Sequence, residues 1–215
     1  MAASRKNFLT SILLILCTLL MFNALAPFEA YGDGLPNHQG KLLKKVTYSD
    51  KNGSHLLLLT HTGLYQSRTD PSMPDTIFSN GDIYAYDYLT RSTEAFSKDS
   101  PQSLLWQMHD YVHACEASAT AEFAAQSPIV TDLDHNGVSE VWLVYYVGCR
   151  GDVSPDGMKI LLYEGGKKYA LRGETFVHVD GMDLGGTYTA DPAFQGAPQA
   201  FKRFADQLWQ QNRHH

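Results

Sequence analysis

Thr131-Asp132-Leu133-Asp134-His135-Asn136-Gly137-Val138-Ser139-Glu140 runs directly into Val141-Trp142-Leu143-Val144-Tyr145-Tyr146-Val147. The first ten residues set oxygen-bearing side chains at alternating positions ahead of a glycine. The next seven are apolar, β-branched or aromatic without a break, which is the composition of a strand. Pro128 to Thr131 reads as a strand leading into the loop. The unit is therefore strand, acidic loop, strand, and the rest of the chain reads as β-structure arranged around it.

The loop has an ordered set of hard ligands. Asp132, Asp134 and Asn136 take the first, third and fifth positions. Gly137 allows a sharp turn, Val138 offers a carbonyl and Glu140 adds a carboxylate at the ninth. That order matches the opening of a calcium loop. Leu143 stands where an EF-hand needs its last glutamate, and a strand replaces the second helix, so this is not an EF-hand. The loop resembles the shorter Asp-x-Asp-x-Asn-Gly calcium loops that join strands in propeller-type surface repeats. The competing expectation is an Asn-Gly hairpin whose aspartates are merely solvated.

Upstream, Arg5 and Lys6 precede the apolar run Phe8 to Phe22, and small residues follow. This is the pattern of a secretory signal peptide. Ala30-Tyr31-Gly32 is the favoured cleavage site, which makes residues 1–32 the signal, 33–40 a flexible leader and 41–215 a single domain. No membrane span is expected once the signal is removed. The full chain has 17 Lys and Arg against 23 Asp and Glu, net −6, and no basic tract, which argues against nucleic acid as a partner. Cys17 falls inside the signal, and Cys115 and Cys149 remain. An even pair in an exported chain reads as a disulfide, with two buried thiols as the alternative.

Other elements follow from pattern. Leu42 to Tyr48 and His55 to Thr62 flank an Asn52-Gly53 turn and predict a hairpin. Asp82 to Tyr88 predicts a strand whose alternation puts Tyr84, Tyr86 and Tyr88 on one face, a possible ligand face for a sugar. Residues 102–119 carry Leu104, Leu105, Met108, Tyr111, Val112 and Cys115 at helical spacing behind Ser100-Pro101, so a helix is expected there. His109, His113 and Glu116 would line its edge. Their spacing suits a transition metal, but Asp110 replaces the glutamate of a zinc-protease helix, so packing or solvation is the expectation. Met158 to Tyr163 and Lys168 to Arg172 predict another hairpin, Phe176 to Val179 a strand, 181–196 a loop and Ala197 to Gln211 a closing helix. Arg150 and Asp152 are expected to pin the 149–157 loop, by pairing with the acidic hairpin. Nucleophile elbows, phosphate loops, dinucleotide fingerprints and Cys-x-x-Cys pairs are absent from the sequence.

Four segments together carry a family resemblance: Trp106 to Cys115, Thr131 to Trp142, Cys149 to Lys159 and Tyr163 to Gly173. They are similar to small exported bacterial proteins that bear the label surface polysaccharide biosynthesis proteins. The resemblance covers roughly residues 80–215. It implies a periplasmic or cell-surface location and supports pairing Cys115 with Cys149. His113 departs from it, since similar sequences are expected to carry lysine there.

The expectation is one α+β domain, a mostly antiparallel sheet of about seven strands packed by two main helices. The expected function is non-enzymatic: a binding or accessory role in cell-surface polysaccharide biology, with an envelope glycan or envelope protein as partner and a calcium-stabilised hairpin. One alternative is a glycan-acting enzyme, which needs two carboxylates about 5 or 6.5–9.5 Å apart in a cleft. Another is a secreted inhibitor or interaction module that presents loop 149–157 or 181–196.

Overall fold

The computed structural model describes residues 35–68, 72, 75–90 and 102–215. The expected signal peptide and Ser100-Pro101 lie outside the described residues, and Pro36–His215 forms a compact unit. Among the described residues 58% lie in strands and 11% in helices, so the fold is mostly β and the α+β expectation is corrected.

One sheet contains β1 (Lys41–Asp50), β2 (Gly53–His61), β3 (Tyr65–Ser67), β4 (Phe78–Thr90) and β5 (Ser103–Cys115). Its order is β1-β2-β4-β5, with β3 continuing the line of β2, because Ser79 pairs with Gln66 on one side and Cys115 on the other. A second sheet contains β6 (Ser118–Phe123), β7 (Ile129–Thr131), β8 (Glu140–Arg150), β9 (Gly157–Glu164), β10 (Lys167–Glu174) and β13 (Tyr188–Ala190), in the order β13-β10-β9-β8-β6. Here β7 extends β6 along β8. A small hairpin of β11 (Phe176–Val179) and β12 (Met182–Gly185) stands apart. Two helices close the chain, α1 (Pro192–Gln195) and α2 (Gln199–Asn212). All pairings are antiparallel.

Alternation along β8 explains the layering. Val141, Leu143 and Tyr145 point toward the first sheet and meet Leu57, Leu59, Ile83, Ala85, Trp106 and Met108. Trp142, Val144 and Tyr146 point the other way, into a core completed by Phe201, Ala205, Leu208 and Trp209 of α2. The seven-residue apolar run is unbroken because both faces of this strand are covered. On α2 the buried positions follow helical spacing, as expected from its apolar side.

The expected helix over 102–119 is instead strand β5, a turn and the start of β6. Trp106, Met108 and Val112 face inward with a period of two, while Gln107, His109, Tyr111 and His113 face out. The inward position between Met108 and Val112 is Asp110, which accepts from Tyr145 Oη at 2.8 Å and pairs with Lys159 Nζ at 2.6 Å. A polar residue at an inward site masked the strand alternation in the sequence. The Gly-rich 181–196 segment likewise holds β12, β13 and α1 rather than loop alone. Cys115 and Cys149 form a disulfide, with Cα atoms 5.5 Å apart, that joins the end of β5 to β8.

Candidate metal centre

Between β7 and β8 the chain folds into a tight acidic loop. Glu140 opens β8 fully buried, and its carboxylate organises the turn from within. Leu133 N–H donates to it at 2.8 and 3.0 Å, and Thr131 Oγ1 donates at 2.6 Å. Thr131 also accepts from Trp142 Nε1 at 2.9 Å, which ties the loop base to the core. Burial pushes the Glu140 carboxyl above its usual value; the Thr131 and Leu133 donors pull it back and the charge of Asp134 adds to the rise. His135 and Gly137 take positive φ, 58° and 76°, which curls the loop back on itself.

The loop brings Asp132, Asp134 and Glu140 together, with one ligand oxygen of each within 4.8 Å of the others. That cluster can hold a metal ion. Asp132 Oδ2 accepts from Gly137 N–H at 3.2 Å, while its Oδ1 is screened from solvent and has no hydrogen-bond partner. Asn136, also read as a ligand, gives its amide to Asp134 at 2.9 Å and Glu164 at 2.6 Å and accepts from Val138 N–H at 2.7 Å. Val138 lies on the return limb of the turn, two residues before Glu140.

The sequence did not show what holds this loop from outside. The β1–β2 turn docks on it. Asp50 Oδ2 accepts from Ser139 N–H at 3.0 Å, Lys51 N–H donates to Gly137 O at 2.9 Å, and Lys51 Nζ donates to Asn136 O at 2.8 Å. Arg150, expected to serve the acidic hairpin, pairs instead with buried Asp156 at 3.0 Å. Asp152 caps its own loop through Ser154 N–H.

Behind Asp50 runs a buried polar chain. His55 lies between Asp50, at 3.3 Å, and Asp87, at 3.0 Å, and Asp87 accepts from Tyr48 Oη at 3.0 Å. Burial alone would lower His55, but the hydrogen bonds and charges of Asp87 and Asp50 raise it. Burial pushes Asp50 up, yet the Ser139 and Asn52 N–H groups and the His55 ring outweigh it and leave Asp50 below its usual value. Burial dominates at Asp87, which is raised. His55, Asp87 and Asp50 come from three strands with no sequence motif between them, so no local signal could have found them.

Tyr84, Tyr86 and Tyr88 do share one face of β4, with neighbouring rings 6.2 and 6.4 Å apart. They are only 8, 6 and 7% exposed. Tyr86 Oη accepts from Gln39 N–H at 3.1 Å, and Tyr88 Oη donates to Asn37 O. The three rings are thus largely covered, and two of their hydroxyls are engaged by the 37–39 segment.

Among the described residues no helix is long and apolar enough to cross a membrane. No protein-family model, curated protein or solved structure matches this chain.

Proposed function

We propose that the chain is a non-catalytic exported envelope protein, acting as a binding or accessory component in cell-surface polysaccharide biology, and that calcium fixes its acidic loop. The unspent Asp132 Oδ1, screened from water beside Asp134 and Glu140, carries the ion reading. A buried acceptor without a partner is unfavourable, and a cation supplies the missing interaction. Calcium suits the site because every candidate ligand is oxygen and the loop can offer carboxylates in flexible array. Glu140 already spends both oxygens on loop donors, so its carboxylate serves the loop rather than standing as a free base, which favours a structural ion. The disulfide and the export-type N-terminal pattern support an oxidising compartment.

Thermal melting in chelator and across a calcium series, beside Asp134→Ala, tests the ion. Calcium at about a hundredfold excess over its dissociation constant should stabilise the native state by about 2.7 kcal/mol. Asp134→Ala should abolish that gain. An unchanged melting temperature across the series sinks the calcium reading. Immobilised calcium-loaded protein that retains no envelope glycan or envelope protein sinks the accessory role.

A further inference from the structure

A second constellation of ligand-type atoms lies on the opposite face of the first sheet, far in sequence from the acidic loop. Asp82 on β4 sits across from Tyr111 on β5. His109 and His113 flank Tyr111, two residues away on each side, and both rings lean toward the same carboxylate. His109 Nε2 lies 2.8 Å from Asp82 Oδ1, and His113 Nε2 lies 3.1 and 3.2 Å from Oδ2 and Oδ1.

His109 lies in the regular ladder opposite Tyr84, but His113 does not reach Asp82 from a regular strand position. Residues at i and i+4 on one strand are about 13–14 Å apart along it, beyond easy convergence. The pairing of β4 with β5 slips between Ser79 and Gly81, and Ala114 at that bulge takes φ 53°. Buried Asn80 holds the bulge: its Oδ1 accepts from Ala114 N–H at 2.9 Å, and its Nδ2 donates to Ser67 Oγ at 2.9 Å and Phe78 O at 3.2 Å. A bulge re-aims the side chain beside it. Here that side chain is His113, turned back toward Asp82.

Asp82 is itself fixed. Its backbone N–H donates to Thr62 Oγ1 at 2.9 Å, and Tyr65 Oη donates to its Oδ2 at 3.3 Å. The Tyr84 ring stacks on His109 with centroids 4.5 Å apart, and Tyr111 stacks against His113 at 4.3 Å. Accessibility is divided in a useful way: the Asp82 side chain is 8% exposed, while those of His109 and His113 are 46 and 43% exposed. The carboxylate is sheltered and the two imidazoles are half-exposed; their Nε2 atoms meet the carboxylate from opposite sides, more than 4.8 Å from one another, so a shared ion requires the rings to swing closer.

We infer that Asp82, His109 and His113 form a binding site for a zinc-class divalent transition metal. Two imidazole nitrogens with one carboxylate match this ion class, whereas the acidic loop offers oxygen alone. In the structure each Nε2–H serves as donor to Asp82. Loading a neutral ring moves its proton from Nε2 to Nδ1, frees the Nε2 lone pair for the ion and draws the two rings together over Asp82. Tyr65 keeps its hydrogen bond to the carboxylate and orients it from behind. Three protein ligands leave a fourth position for water on the open face.

The test is a zinc titration by calorimetry in calcium-saturated buffer, with cobalt absorption as a spectroscopic readout of the ligand set. It compares the unaltered protein with His109→Gln, His113→Gln and Asp134→Ala. The expected result is one ion per chain, weakened about tenfold or more by each histidine change and unaltered by Asp134→Ala. Circular dichroism checks that the half-exposed histidine variants remain folded. No binding at roughly 0.1 mM zinc, an affinity weaker than about −5.5 kcal/mol, overturns the site. Affinity equal to that of the unaltered protein in both folded histidine variants does so too, by placing the ion elsewhere. Because the Asp134→Ala arm reports on the calcium loop alone, failure of one ion reading leaves the other standing.

Discussion

Replacing Asp50 with alanine tests whether the acidic loop is held from the neighbouring sheet. The side chains of Asp50 and His55 are 3 and 2% exposed, so water cannot readily replace what is removed. Three hydrogen bonds are lost. The bond from Asn52 N–H, at 2.7 Å, lies at an exposed turn and rehydrates. The bond from Ser139 N–H, at 3.0 Å, anchors the loop, and the contact with His55 Nε2 is longer at 3.3 Å. Hydrogen bonds to a charged group contribute about 1.5–3 kcal/mol each, and the longer one belongs at or below the lower end. The expected loss is therefore about 3 kcal/mol. For a slope near 2–3 kcal/mol/M, the urea midpoint should fall by roughly 1 M. Asp134→Ala in chelator is the matched control, since among the described residues the Asp134 side chain bonds within the loop, to Asn136. A loss below about 1 kcal/mol for Asp50→Ala, or one no larger than the control, would refute the claim that Asp50 holds the loop.

The buried histidine sets a pH dependence. His55 is raised above its ordinary 6.5, so its contribution is complete below that value and is lost as pH rises through the folded value. Urea midpoints should fall from neutral pH upward, with a shallower slope in Asp50→Asn, and a flat profile in the parent protein would contradict this. Asp50 runs the other way: its lowered value means stabilisation present above 3.8 and lost on acidification through the folded value, visible as a parent-minus-variant difference that closes in acid. Reducing the Cys115–Cys149 bridge releases a constraint on residues 34 apart in sequence, for which chain entropy gives about 4 kcal/mol. Melting with and without reductant measures it, and coincident curves would assign the bridge no stabilising role.

Much of the β-structure was legible because its patterns are local. The Asn52-Gly53 turn located β1 and β2, the apolar run located β8, and Gly165-Gly166 located the β9–β10 turn. Phe176–Val179 and the closing helix also emerged where their patterns lay. β5 was misread because one stretch satisfied two periods: Leu104, Leu105, Met108 and Val112 fit a helix, while Trp106, Met108 and Val112 fit a strand. Only tertiary partners for Asp110, on β8 and β9, resolve the choice. The acidic cluster was readable for the same local reason as the hairpins. Asp82 could not be joined to His109 and His113 from sequence, because a helical reading points the two histidines away from any strand. Its alignment with them depends on register and on a bulge plugged by a residue from the facing strand.

The two ends of the sheet pair are fastened by different means. At one end Cys115 and Cys149 are bonded, and β5 passes to β6 through residues 116 and 117, so the sheets share a covalent spine. At the far end the fastening is Asp50 on Ser139 and Lys51 on Gly137, a clasp of hydrogen bonds closed over the acidic loop. A book bound in this way opens from only one side. Breathing of the domain would be graded along β8, freest at Glu140 and most restrained at Cys149. An ion bound in the loop then restrains the hydrogen-bonded edge, by as much as its affinity differs between the closed and parted states.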